Sequence, residues 1–216
     1  MTGVLVEACV TSVDEAVGAR DAGAHRLELC RDLDVGGLTP PAELVRAVKE
    51  AVSVPVFAMA RSRAGSFHLS SREIDATLRD VLEMRNAGAD GIVAGLLRPD
   101  GSVDEVATSA VVAAAAPLPV TFHRAFDAVP GPEGALEALV GIGVQRVLTA
   151  GGSLAARHNA DLLAALIRQA GGRVEVLVGG GVRGDHVRHL VTYIGAREVH
   201  ARASAIPGIR RGLAGL

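Results

Sequence analysis

Short runs rich in Val, Leu, Ile and Phe recur along this chain, separated by longer stretches in which apolar residues return every three or four positions. The short runs read as buried strands at 4–9, 26–30, 54–60, 91–95, 119–123, 146–149, 174–178 and 198–201. Helical periodicity fills the gaps, for example at 13–22, 42–51, 72–87 and 155–169. Several helices end at a glycine just before the next strand, at Gly23, Gly88 and Gly143. Glycine closes a helix there because it enters the left-handed region without a Cβ clash. Eight such units in 216 residues predict one α/β domain over 1–216, a parallel (β/α)8 TIM barrel. An open doubly wound sheet is the alternative, but the first strand–helix turn, Cys9-Val10-Thr11-Ser12, has no glycine-rich dinucleotide fingerprint. Only 206–216 follow the eighth strand, so the last helix is expected to be short. A partner in a homo-oligomer would then cover the gap.

Polar residues interrupt this pattern at one end of the strands. Thr121-Phe122-His123-Arg124-Ala125-Phe126-Asp127 begins as a strand and ends in His, Arg and Asp. Alternation places Thr121, His123, Ala125 and Asp127 on one face. In a barrel the C-terminal strand ends form the active face, and other strand ends are polar too. They supply Glu7 and Cys9, Glu28 and Cys30, Arg61 and Arg63, Thr149, Gly180 and Gly181, and His200. Cys9 and Cys30 each follow a glutamate by two residues, so they share its face on neighbouring strands. Paired thiolates suit Cu(I); buried cysteines also serve as small hydrophobes. Glu28 is expected to need a partner in the interior, with Arg61 the natural one and Arg26 a deeper one. Two readings stay open: a salt-bridge layer filling the barrel, or a catalytic site. In the second, Glu28 and His123 are the acid/base pair, Asp127 orients His123, and Arg61 and Arg63 hold negative charge. Glu7, Thr149, His200 and the free N–H groups of Gly180 and Gly181 would bind substrate, and phosphate suits that glycine run.

Composition narrows the choice. The chain is 49% hydrophobic but only 2% aromatic, so Ala, Val and Leu must do the packing. A net charge of -2 gives no reason to expect nucleic acid or an acidic membrane surface. The single lysine, Lys49, falls in a helix, which argues against Schiff-base chemistry. No His-x-His or His-Glu-x-x-His spacing marks a zinc hydrolase, and no nucleophile elbow appears. Two cysteines make no disulfide framework, and neither a secretory signal nor a membrane-spanning run is seen, so a soluble cytoplasmic protein is expected.

Taken together, several segments resemble the CutC copper-homeostasis family. They are Glu7-Ala8-Cys9, Arg26-Leu27-Glu28-Leu29-Cys30, Gly36-Gly37-Leu38-Thr39-Pro40, Arg61-Ser62-Arg63, Thr121 to Asp127, Arg146-Val147-Leu148-Thr149, Gly179-Gly180-Gly181-Val182 and Glu198-Val199-His200. The resemblance implies a TIM barrel, a cytoplasmic location and an association with copper, with Cys9 and Cys30 at the positions of proposed Cu(I) ligands. The loop after the third strand departs from the family pattern, since Ser62, Ala64 and Ser66 stand where Pro, Gly and Asp are usual. Arg202 replaces a small residue, and the C-terminal region is shorter. The expected function is copper homeostasis through a Cu(I)-binding thiol pair. The alternatives are an enzyme acting on a small anionic or phosphorylated substrate, or a non-catalytic small-molecule sensor.

Overall fold

The computed structural model describes residues 3–216. Eight strands, β1 (Leu5–Val10), β2 (Arg26–Leu29), β3 (Val56–Met59), β4 (Gly91–Ala94), β5 (Val120–Phe122), β6 (Arg146–Thr149), β7 (Glu175–Val178) and β8 (Glu198–Arg202), alternate with eight helices. The helices are α1 (Val13–Asp21), α2 (Ala42–Ala51), α3 (Ser71–Asn86), α4 (Glu105–Ala115), α5 (Pro132–Ile142), α6 (Ala160–Ala170), α7 (Val187–Ile194) and α8 (Ile206–Leu213). Each strand pairs in parallel with its sequence neighbours, and β8 closes onto β1, giving a closed barrel. The predicted (β/α)8 architecture is the one observed.

Local chemistry sets the helix ends. Ser12 accepts the Glu15 N–H to cap α1, and Asp104 accepts the Ala107 N–H to cap α4. At α3, Ser70 and Glu73 form a reciprocal capping box. Glycines 143, 171 and 195 close α5, α6 and α7 with left-handed backbone.

Strand alternation divides the apolar residues into two sets. Outward-facing Val6, Ala8, Leu27, Leu29, Val147 and Val178 join the helices in one continuous core. Cys9, Cys30, Phe57, Met59 and Val93 form a second, smaller cluster inside the barrel. Most of the burial therefore lies between strands and helices, which leaves the interior free to be polar.

Three details differ from expectation. The helix expected over 155–169 is split into a 3-10 turn, Ala156–His158, and α6. The Asn159 side chain donates to the Ala150 and Leu154 carbonyls at the break, competing with helical backbone bonding. The strand expected to reach residue 123 stops at Phe122, because His123 caps a 3-10 turn over Arg124–Ala128. The gap after β8 is filled by the chain itself. Helix α8 is only eight residues long, but buries Ile206, Ile209 and Leu213. Its glycines also permit backbone-to-backbone contact with the β7–α7 loop: a Cβ on Gly184 would meet the Gly208 carbonyl oxygen at 2.3 Å. Closure needs no partner subunit.

Candidate functional site

The barrel interior holds two polar levels. Toward the N-terminal strand ends, Glu7 on β1 is bonded to Arg26 on β2, and Arg26 also pairs with Glu198 on β8. Arg146 on β6 comes within 3.3 Å of Glu198. The Arg26 and Arg146 guanidiniums lie 5.1 and 5.0 Å from the centre of the Phe57 ring, a pair of cation–π contacts. His200 Nδ1 sits 2.8 Å from Glu7 Oε1. Burial alone would raise the Glu7 pKa, but Arg26 and His200 outweigh it and hold the carboxyl near 2. This floor has the form of the salt-bridge layer, one of the two readings the sequence left open, and it holds Glu7 below the cavity lining.

The upper level is different. Glu28 Oε1 accepts from the Cys9 thiol at 3.4 Å, and the two sulfurs are 3.5 Å apart. His200 Nε2 lies 4.0 Å from Glu28. The other Glu28 oxygen, Oε2, has no hydrogen-bond partner. Burial raises the Glu28 pKa, partly opposed by His200. For His200 burial works downward, but Glu28 and Glu7 prevail and raise its pKa. The Cys9 thiol is pushed well up by its bond to Cys30 and by burial.

Above these groups opens a cavity of about 540 Å³ at the C-terminal strand ends. Glu28, Cys9, Met59, Arg61, Phe67 and His123 line it together with Arg124, Asp127, Gly180, Gly181, Arg183, His200 and Arg202. The volume falls within the ~300–1,000 Å³ typical of small-ligand sites. His123 is 4% exposed, and its Nδ1 accepts the Ala125 N–H at 3.1 Å. The neutral ring therefore carries its proton on Nε2, which is unbonded. Burial, then the Arg61 charge, depresses the His123 pKa to about 3. The ring needs Gly95 beneath it, since a Cβ there would come within 2.4 Å of Nδ1.

Of the residues singled out by sequence, Glu28, Cys9, His123, Arg61, Asp127, Gly180, Gly181 and His200 line this one cavity. Several assigned partners are corrected. Arg61 does not pair with Glu28; its guanidinium donates to the Val35, Gly37 and Gly65 carbonyls and lies 4.9 Å from the Phe67 ring centre. Asp127 does not orient His123. Its carboxylate takes the Thr149 hydroxyl at 2.6 Å, the Ala150 and Gly152 N–H groups, and Arg124. Thr149 is thereby fully buried as a brace beneath the β6 loop, away from the cavity lining. Arg63 is also drawn away, held by Glu73 and by the Ser66 and His68 carbonyls.

Sequence reasoning gave no role to Arg146, Phe57 or Phe67. The first two follow from the alternation already used, since Arg146 shares a face with Leu148, and Phe57 with Met59. Phe67 lies on an irregular loop, where alternation carries no information.

A closed parallel barrel with a polar cavity at its C-terminal mouth defines a TIM-barrel protein. The model of the CutC family matches residues 4–205. The chain is 44% identical over 201 residues to the copper homeostasis protein CutC homolog of Homo sapiens, covering 93% of this chain and 74% of that protein. It is 41% identical over 198 residues to a CutC protein of Xanthomonas campestris, covering 92% and 82%. A solved CutC structure from Streptococcus agalactiae superposes with a TM-score of 0.87 at 28% identity, covering 91% and 97%. This protein belongs to the CutC family. A dihydrodipicolinate synthase from Bacillus anthracis, with a TM-score of 0.69 at 17% identity covering 96% of this chain and 72% of that one, shares the barrel alone.

Proposed function

We propose that this CutC-family protein takes part in copper homeostasis by binding Cu(I) through Cys9 and Cys30. The observation that carries the reading is the thiol pair itself: two buried sulfurs 3.5 Å apart with Glu28 beside them. Thiols are the soft donors that select Cu(I), and both sulfurs are close enough to reach one ion. Cys9 lines the cavity and gives access, while Cys30 lies fully buried behind it. A loop without side-chain bulk covers the pair: a Cβ on Gly37 would stand 3.2 Å from the Cys30 sulfur and 3.4 Å from the Met59 methyl. A thiol must lose its proton to ligate, and Glu28 Oε1 is the acceptor already bonded to Cys9.

Cu(I) competition titration under anaerobic conditions tests this. The wild-type protein is expected to hold close to one equivalent, and Cys9→Ser with Cys30→Ser to hold none. Unchanged stoichiometry in that double variant would rule the thiol site out. The family relationship supports a copper role, and a cytoplasmic location suits reduced thiols. No helix among the described residues is long and apolar enough to cross a membrane.

A further inference from the structure

The cavity mouth carries more positive charge and more unbonded donors than a thiol site requires. Four guanidiniums line it, from Arg61, Arg124, Arg183 and Arg202. Among the described residues only Arg124 has a carboxylate within 4.0 Å, and that carboxylate, Asp127, is already held by Thr149 and two backbone N–H groups. Arg61, Arg183 and Arg202 have none. Gly180 and Gly181 follow β7 with φ of +85° and +79°, and neither N–H has an acceptor among the described residues. The Arg124 guanidinium stands over this turn, with its Nη2 3.6 Å from where a Gly180 Cβ would be. A Cβ at Gly180 would also meet the Ala150 Cβ at 2.6 Å, so the turn stays bare.

A second observation comes from two other residues of the lining. His123 Nε2 and Glu28 Oε2 are buried polar atoms with no partner, on side chains 4% and 3% exposed that both line the cavity. Unbonded polar groups in such positions are costly, and a bound hydroxyl, accepting from His123 Nε2–H and donating to Glu28 Oε2, would relieve both.

We propose that the mouth of this barrel binds a small organic phosphate: its phosphoryl group sits against Gly180 and Gly181 among Arg124, Arg183 and Arg202, and its hydroxyl group reaches toward His123 and Glu28. A phosphomonoester has the matching charge of about −1.5 to −2 and three acceptor oxygens, which suits several guanidiniums and paired N–H groups better than one carboxylate does. A bare inorganic phosphate satisfies the rim but leaves His123 Nε2 and Glu28 Oε2 unbonded. The ligand is therefore an ester carrying further oxygen atoms.

Calorimetric titration of metal-free protein tests this, so its result does not depend on copper. The probes are inorganic phosphate, glycerol 3-phosphate and glycerol. Both phosphates should bind, glycerol should not, and the ester should bind about tenfold tighter than inorganic phosphate, the scale of one added charge-assisted contact. Arg183→Ala with Arg202→Ala, both on exposed side chains, should weaken both phosphates about tenfold or more. His123→Asn should narrow the gap between ester and inorganic phosphate while leaving the latter bound. Absence of phosphate binding would overturn the proposal. So would binding unmoved by the double arginine variant, or an ester advantage that survives in His123→Asn.

Discussion

At the N-terminal end of the barrel strands Arg26 is shared by Glu7 and Glu198, and Phe57 packs against both the Arg26 and Arg146 guanidiniums. At the C-terminal end four guanidiniums have one carboxylate between them, and Glu28 and His123 each keep a bare polar atom. The same residue types thus serve opposite ends. On the floor each charge lies beside an opposite one, although Arg146 Nε and Nη1 make no hydrogen bond, so the layer does the work of packing. At the mouth the matching is incomplete, and incompleteness is what leaves a ligand something to bind.

The contrast is easiest to break with paired substitutions. Arg26→Ala would strand Glu7 and Glu198 without their shared cation, and should cost about 3–5 kcal/mol of stability in urea unfolding. Arg202→Ala at the exposed rim should change stability by less than about 0.5 kcal/mol. Comparable losses would mean that the rim is as structural as the floor.

Acid titration separates the two levels next. His123 titrates near its ordinary 6.5 when unfolded but only near 3 when folded, so between those values the unfolded chain binds the extra proton. Stability attributable to the mouth should fall as pH drops from about 6.5 toward 3. Glu7 is also depressed, from 4.5 to about 2. Its contribution is complete above 4.5 and is lost as pH falls through the folded value. His200 is raised, so its contribution is complete below 6.5 and is lost only as pH rises through its folded value, outside this acid window. Stability measured across a pH series should decline in two stages; His123→Asn should shrink the upper one, leaving the share of His25, which burial and Arg210 also depress, and should spare the lower one.

A smaller effect tests the brace beneath the mouth. Thr149→Val deletes the hydroxyl that donates to Asp127 and accepts the Gly151 N–H at 2.8 Å. A loss of about 1–3 kcal/mol is expected, seen as a lowered urea midpoint. An unaffected midpoint would mean that the backbone N–H groups of Ala150 and Gly152 hold Asp127 on their own.

Much of the fold was legible because it rests on local signals. Alternation separated Val6 and Ala8 from Glu7 and Cys9, and it put Glu28 on the same face as Cys30. Glycines before strands marked the turns. The strand ends were harder to place, because His123 terminates β5 by capping a turn whose partner is the Ala125 N–H. How the short helix α8 closes the barrel was hidden for a related reason. Its eight residues suffice only because Gly208 and Gly212 let it sit against Gly184, a contact that no pattern within the helix announces.

Sequence alone determined which residues face the interior and at which end of the barrel the chemistry collects, since both follow from two-residue periodicity within single strands. Only the tertiary structure decided who meets whom. Parallel pairing sets Glu7 level with Arg26 and His200, and Cys9 level with Glu28. Ring closure then brings Arg26 to Glu198, 172 positions away along the chain, and His200 to Glu7, 193 away. That stagger gave Arg26 to the floor carboxylates and left Arg61 to backbone carbonyls. It also turned a strand ending in His, Arg and Asp into separate parts: a cavity wall at His123, and a loop brace at Asp127.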